Sequence, residues 1–375
     1  MASYKGRVGI VQRVLPRYRA PFFDLLAGQC EGGLGVFAGE ARASEAIPLA
    51  EKLAVAKWTR AQNLHLLGGP LYFCWQRGLI QWLEGWNPDV LIVEANPRYL
   101  STPAAVRWMK QRRRPVIGWG LGAPLVRSLA APARIRRRKR FLRQFDALIA
   151  YSQRGAAEYK ALGFPPERIF VAPNSVSPRP KENPAARRAR FDGQPSLLYV
   201  GRLQARKRLD SLMRACAELP LQPRLVIVGD GPQRAELEGL GKRIYPAAEF
   251  RGALFGSELD KAFNEADLFV LPGTGGLAVQ QAMAHGLPVL AAEGDGSQED
   301  MVTAANGWLL GAKAGVPGQV LPKNEAALAA AVAEALSDAA RLRNMGAESF
   351  RLVQEKFNLE TMAEAFISAI NEVAG

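Results

Sequence analysis

The 375-residue sequence predicts an α/β protein built from two doubly wound domains, and three observations carry that expectation. Short β-branched apolar runs recur along the chain, each followed by a turn containing Gly, Pro or Asn and then by an amphipathic stretch. That is the pattern of parallel strands buried on both faces. The alternation occurs twice, on either side of PRPKENPAARRARFDGQP (178–195), a Pro- and charge-rich segment that reads as the interdomain connection. Charge is also unequally shared: residues 1–178 hold 27 Lys and Arg against 11 Asp and Glu, and residues 179–375 hold 22 against 24. Two halves with different partners are expected from such asymmetry.

Taken in order, the first half (1–178) offers strands at RVGIVQ (7–12), VLIVEA (90–95), PVIGW (115–119), ALIAYS (147–152) and IFVAP (169–173). The second half (179–375) offers SLLYVG (196–201), RLVIVG (224–229), AEFRG (248–252), DLFVLP (267–272) and PVLAA (288–292). Residues 325–346 and 359–373 have helical periodicity, and the terminal helix is expected to pack back on the first domain. In open parallel sheets ligands bind beyond the carboxyl ends of the strands, so the residues just after each strand are the ones to inspect.

Composition narrows the class. No apolar run approaches the roughly 18–20 residues of a membrane span, and the N-terminal stretch lacks the uninterrupted apolar core of a signal peptide. Three widely spaced cysteines, Cys30, Cys74 and Cys216, form neither a disulfide framework nor a zinc pattern. With two histidines in the chain, His-based metal sites and triads are nearly excluded. A cytoplasmic enzyme is the expectation. The positive excess lies in residues 107–143, with thirteen basic residues and no acidic one. Within it, RIRRRKRFLRQF (134–145) reads as a helix whose Ile135, Phe141, Leu142 and Phe145 interrupt a cationic surface. A solvated face, nucleic acid and an anionic membrane surface are all open readings. The membrane is preferred to nucleic acid, because no recognition-helix, zinc or RNP motif accompanies the charge.

After strand 196–201, Arg202 and Lys207 stand where cations meet an anionic ligand, although an exposed Arg/Lys pair is often merely solvated. IVGDGP (227–232) carries a G-x-G that a tight turn explains. The stronger signal is PGTGGLAVQQAMAHGLP (272–288), a strand end, a Gly-rich turn and a helix start. Glycines let backbone approach a ligand closely, and a helix start presents unpaired N–H groups, which together suit a diphosphate. Glu293 and Asp295 are an isolated acid pair, and no D-x-D is present, so no metal is expected.

These pieces resemble the GT4 family of retaining glycosyltransferases, which have the GT-B fold of two Rossmann-like domains facing across a cleft. VAPNSV (171–176), YVGRLQARK (199–207), IVGDGP (227–232), FRG (250–252), ADLFVLP (266–272), GGLAVQQAMAHGLPV (275–289) and NGWLL (306–310) keep the family's order and spacing. LPRYRAPFFDLLA (15–27), EANPRYL (94–100) and DALIAYSQRGAAEY (146–159) match more loosely. The resemblance implies that Arg202 and Lys207 bind the donor diphosphate and stabilise it as it departs. It implies that Gly275, Gly276 and Leu277 hold the same phosphates through backbone groups, and that Arg251 sits by the nucleotide base. The first domain would supply the acceptor side, with Arg19, Asn96 and Trp119 at the cleft. Two departures stand out. The family's Glu-x7-Glu is Gly273 and Gln281 here, Gln281 replacing the acid that bonds ribose hydroxyls. Where many relatives carry a cleft His, this chain has GWGLGAP (118–124). Glu94, directly after strand 90–95, is a candidate carboxylate for sugar or acceptor hydroxyls; its alternative is a turn acid paired with Arg98.

The leading expectation is therefore a metal-independent, cofactor-free retaining glycosyltransferase acting on a nucleotide diphosphate sugar. Its acceptor is a glycan or a lipid-linked molecule, with a peripheral seat on the inner face of the membrane through residues 107–143. The alternative is a catalytically inactive relative that binds nucleotide sugar, membrane or partner. Nucleic-acid binding rests on charge alone.

Overall fold

The computed structural model describes residues 3–42, 45, 47–123, 131–191, 193–311, 320–321 and 324–375. Pro124 and Arg127, parts of stretches singled out above, lie outside them. The chain forms two compact units, Met1–Val176 with Leu359–Gly375, and Ser177–Asn358.

The first unit is a seven-stranded parallel sheet. Its strands are β1 (Val8–Val14), β2 (Leu34–Gly39), β3 (Lys57–Arg60), β6 (Val90–Glu94), β7 (Val116–Gly120), β8 (Ala147–Ala150) and β9 (Ile169–Val171), ordered β3-β2-β1-β6-β7-β8-β9; β4 (Gln62–Leu66) and β5 (Phe73–Arg77) pair separately as an antiparallel hairpin. Strand period 2 sends alternate residues to opposite faces. In β6, Val90 and Ile92 join the core layer formed with α1 (Ala20–Ala27) and the C-terminal helix Leu359–Ala374. Leu91 and Val93 join the layer beneath α2 (Leu79–Trp86) and α3 (Thr102–Gln111). The same second layer takes in α4 (Ala131–Leu142) and α5 (Gln153–Ala161).

The C-terminal helix belongs to this unit because its apolar residues fall at helical spacing: Leu359, Met362, Ala363, Phe366, Ile367 and Ile370 are all buried. Phe366 meets Phe22 and Trp119 edge-on, each at 4.9 Å between ring centres. Burying a ring of that size contributes about 2–3 kcal/mol.

The second unit repeats the plan with β10 (Ser196–Val200), β11 (Arg224–Val228), β12 (Ala248–Gly252), β13 (Leu268–Leu271), β14 (Val289–Ala292), β15 (Gly307–Leu310) and β16 (Val320–Leu321), ordered β12-β11-β10-β13-β14-β15-β16 and parallel throughout. Its helices are α6 (Leu209–Ala217), α7 (Arg234–Ile244), α8 (Gly256–Glu265), α9 (Ala278–Ala284), α10 (Ser297–Met301), α11 (Glu325–Ser337) and α12 (Ala339–Glu355); the C-terminal helix is α13. The periodic stretch 325–346 does not run through as one helix. Asp338 leaves helical geometry (φ −139°) and its carboxylate caps α12 by accepting from Arg341 N–H at 2.9 Å.

Segment 178–195 is not a free connection between domains. It belongs to the second unit, where Arg187 fastens it by donating to four carbonyls, those of Phe263, Ala266, His285 and Gly286. Burial among carbonyls, with Arg343 nearby, pushes this guanidinium down to about 10. The cationic surface of α4 also differs from expectation. Phe141, Leu142 and Phe145 are buried in the core and do not interrupt it.

Candidate active site

Each sheet has a switch point, where loops leave adjacent strands toward opposite faces and open a crevice. In the second unit it lies between β10 and β13. Arg202 follows β10, and the single 3-10 turn Ala205–Lys207 brings Arg206 and Lys207 over the loop that follows β13. Thr274 N–H donates to the Arg206 carbonyl at 3.1 Å, and Lys207 Nζ donates to the Gly275 carbonyl at 2.6 Å. A Cβ at Gly273 would lie 2.2 Å from that Arg206 oxygen and 2.5 Å from Lys207 Cα, so no side chain fits there. Gly275 has φ 72°, which glycine adopts without a Cβ clash, and an Arg206 guanidinium nitrogen comes within 3.4 Å of where its Cβ would be.

Lys207 is 6% exposed. Burial depresses its ammonium from 10.5 to about 8; Arg206 adds to the fall, and Asp295, on the loop after β14, opposes it. Asp295 is held by accepting from Ser297 N–H at 3.1 Å. The crevice thus brings Arg206 and Lys207 to the backbone of the Gly275 turn, with Arg202 on the loop that leaves β10 and Asp295 near Lys207. Arg206 escapes sequence reasoning, and Asp295, weighed there only as a metal ligand, is not foreseen beside Lys207. Arg206 lies inside YVGRLQARK, but its orientation over Gly275 depends on the 3-10 turn. Asp295 comes from the loop after β14, far along the chain.

The glutamines of α9 part company. Gln281 is half-buried, and its amide makes no hydrogen bond among the described residues. Gln280 is fully buried: its oxygen accepts from Ser177 N–H at 2.9 Å and its nitrogen donates to the Phe357 carbonyl at 2.7 Å. It therefore ties the residues at which the chain enters and leaves the second unit. Gln280→Leu removes bonds to three backbone groups, the Ser177 N–H and carbonyl and the Phe357 carbonyl, at about 1–3 kcal/mol for each group left buried and unpaired; we expect a lower urea midpoint, and an unchanged one would refute the tie. Arg251 stands apart at the end of β12, two strands from β10 and thus roughly 10 Å away, pairing with Glu249 at 3.3 Å and Glu265 at 3.5 Å. The glycines of IVGDGP serve packing: a Cβ at Gly229 would lie 1.9 Å from the Gly201 carbonyl oxygen. His285 also packs, stacked on Phe263 at 4.9 Å.

In the first unit the switch point lies between β1 and β6. Glu94, ending β6, accepts a short hydrogen bond of 2.5 Å from the backbone N–H of Arg13, at the end of β1. Glu94 does not pair with Arg98. Glu94 is half-buried, and burial of its carboxyl raises it from 4.5 to about 7 against the lowering pull of Arg13 and Arg19. Folded protein thus holds a proton here that the unfolded chain releases near 4.5, so the group's stabilising contribution is lost as pH rises toward 7. Glu94→Gln should raise the thermal midpoint at pH 8 and leave it nearly unchanged at pH 4, and equal shifts at both values would contradict this.

Asn96 closes the turn after β6, its side-chain oxygen accepting from Arg98 N–H at 3.1 Å. The expectation that Arg19 and Trp119 line a cleft needs correction. Trp119 is 1% exposed, enclosed by Phe22, Tyr151 and Phe366. Arg19 is 4% exposed, stacks 5.2 Å from the Trp119 ring and bonds Asn174, and Trp119 is the register partner of Glu94 on the neighbouring strand. Apolar packing explains this, since Trp119 alternates inward along β7.

Two parallel-sheet Rossmann-like domains define a GT-B fold. Sucrose-phosphate synthase from Thermosynechococcus elongatus superposes with a TM-score of 0.70 at 21% identity, over 98% of this chain and 99% of that one. Anabaena HepE in complex with UDP superposes at 0.68 with 17% identity, over 98% and 99%. The chain belongs to the group 1, GT4-type glycosyltransferases: residues 24–175 match the glycosyl transferase 4-like domain, and residues 194–338 match the glycosyl transferases group 1. It is similar to the GDP-mannose-dependent alpha-mannosyltransferase of Mycobacterium tuberculosis, 38% identical over 137 residues (36% of this chain, 35% of that protein). It is also similar to the 2-deoxystreptamine glucosyltransferase of Streptomyces kanamyceticus, 34% identical over 221 residues (53% of each). These matches span about a third to a half of the relatives' length. Among the described residues no helix is long and apolar enough to cross a membrane.

Proposed function

We propose that the chain is a retaining glycosyltransferase that moves a sugar from a nucleotide diphosphate sugar to an acceptor, without metal. One observation carries the reading. The buried ammonium of Lys207 is seated on the Gly275 carbonyl beside Arg206, at the switch point of the second unit. Negative charge grows on the departing diphosphate as the glycosidic bond breaks, and preorganised cations in a water-poor site stabilise that charge most strongly. Arg202, Arg206 and Lys207 would take this role, with Gly275, Gly276 and Leu277 presenting backbone to the phosphates and Gln281 offering its amide to the ribose. Gly273 supplies no acid, so Asp295 is the carboxylate available beside Lys207. The acceptor, a glycan or a lipid-linked molecule, would approach Glu94 and Asn96, and α4 would rest on an anionic membrane surface. A nucleotide-sugar donor accords with the name of the mannosyltransferase relative and with the UDP complex of HepE.

The test is calorimetric titration with UDP, GDP, ADP and dTDP, with chelator present, on the natural chain and on Arg202→Ala/Lys207→Ala. One nucleotide should bind, and the double variant should lose it. Absence of binding by all four would overturn the donor site. Product analysis with the matching nucleotide sugar then tests retention of anomeric configuration.

A further inference from the structure

We propose that the first unit carries a subsite for a phosphate or diphosphate group on the acceptor, in the cavity between the turn after β6, the β4–β5 hairpin and α4. The inference rests on reading this unit as the acceptor side. The cavity has a volume of about 500 Å³ and is lined by Arg98, Arg134, Arg137 and Arg138, with Leu71 and Phe73 forming an apolar wall. Positions 134, 137 and 138 share one face of α4, and like charges at that spacing work against the helix. Some cations of the unit find acids: Arg13 pairs with Glu45, Lys110 with Asp146 and Arg114 with Asp89. Among the described residues the four cavity arginines have no ion pair. The one bond recorded for Arg138 runs to the Gly122 carbonyl at 3.4 Å, and residues 107–143 contain no acid at all.

Guanidinium groups fork onto phosphate oxygens two at a time, and here they converge from two different elements. That arrangement fits a group bearing two or more charges better than a lone carboxylate. The wall of Leu71, itself 64% exposed, and Phe73 suits the carbon skeleton to which such a group is esterified. Arg98 also fixes the location, because its N–H donates to Asn96, two residues beyond Glu94. An anion held at Arg98 would set the rest of the molecule beside the end of β6.

The experiment titrates inorganic diphosphate into the full chain carrying Arg202→Ala/Lys207→Ala, so that the donor crevice does not compete. Two triple variants are compared on that background. Arg98→Gln/Arg134→Gln/Arg137→Gln removes three of the cavity's four charges, and Arg136→Gln/Lys139→Gln/Arg140→Gln removes as many from the other side of α4. The first should weaken binding by at least about tenfold, the loss expected when a charge-assisted bond is removed, and the second by under about threefold, a diffuse electrostatic effect. Equal losses, or no diphosphate binding before substitution, would overturn the subsite. Phosphatidylglycerol vesicles and a soluble hexose 1-phosphate then serve as competitors. Displacement by vesicles assigns the group to a lipid headgroup, and displacement by the sugar phosphate assigns it to a soluble acceptor. Displacement by neither overturns the proposal. Nucleotide titration of the natural chain runs alongside: its failure with diphosphate binding retained would remove the donor-site reading and leave the cavity standing.

Discussion

Gly273→Glu is expected to abolish nucleotide binding, although it puts back the acid that the family pattern carries at this position. Space decides the matter. The added Cβ would meet the Arg206 carbonyl oxygen at 2.2 Å and the Lys207 Cα and carbonyl carbon at 2.5 Å, all of them backbone atoms that no rotamer change can move aside. The turn Ala205–Lys207 would have to lift from the loop after β13, breaking the bond from Thr274 N–H to the Arg206 carbonyl and that from Lys207 Nζ to the Gly275 carbonyl. Overpacking of this kind costs about 1–3 kcal/mol in stability. Displacing two cations proposed to hold the phosphates costs affinity as well, on the order of a hundredfold or more if each contributes a charge-assisted bond. Gly273→Ala carries the same Cβ and should show most of the loss without the carboxylate, which separates size from charge. Calorimetry with whichever nucleotide the natural chain binds makes the measurement. Tighter binding by Gly273→Glu would mean that the turn yields readily and that a missing acid limits the site.

Much of this arrangement is legible in the order of the amino acids, and the parts that are not have local physical reasons. β6, β10, β11 and β13 are uninterrupted β-branched or leucine-rich runs buried on both faces, which is why the runs at 90–95, 196–201, 224–229 and 267–272 read as strands. β2 (LGVFAG) is hidden because two of its six residues are glycines, one of which, Gly35, is there because a Cβ would strike the Trp86 ring at 2.6 Å. β3 (KWTR) is an edge strand with three exposed residues, so no apolar alternation marks it. The basic and Gly-rich residues of the crevice between β10 and β13 are legible as types in a spacing. Their division of labour is not. Gln280 and Gln281 are identical neighbours, and only the 100° step between successive helix positions sends one into the core and leaves the other half-open. Trp119 reads equally well as a cleft aromatic or a core one until the neighbours on α1 and α13 are known.

Lys207→Met separates binding from stability, because the ammonium that would hold the phosphates is also a cost to the fold. At pH 7 the natural chain keeps a charged group in a site that depresses its pKa to about 8, and the methionine stem fills similar space without that charge. The variant should therefore lose nucleotide affinity by roughly tenfold to a hundredfold, the worth of a charge-assisted bond, while its thermal midpoint at pH 7 stays level or rises. The pH dependence has a definite sign. Between about 8 and 10.5 the unfolded chain holds a proton on Lys207 that the folded one has released, so the free protein gains stability from this group as pH rises through that window. Ligand affinity runs the other way. A bound diphosphate raises the ammonium's pKa, so affinity should be flat below pH 8 and fall by up to about tenfold per pH unit above it. Binding at pH 8.5 should take up a proton, read as a dependence of the apparent enthalpy on the buffer's ionisation enthalpy. Lys207→Met should show neither the fall nor the uptake. If the natural chain binds nucleotide equally well at pH 7 and pH 9.5, then Lys207 does not hold the phosphates, and Arg202 and Arg206 alone must.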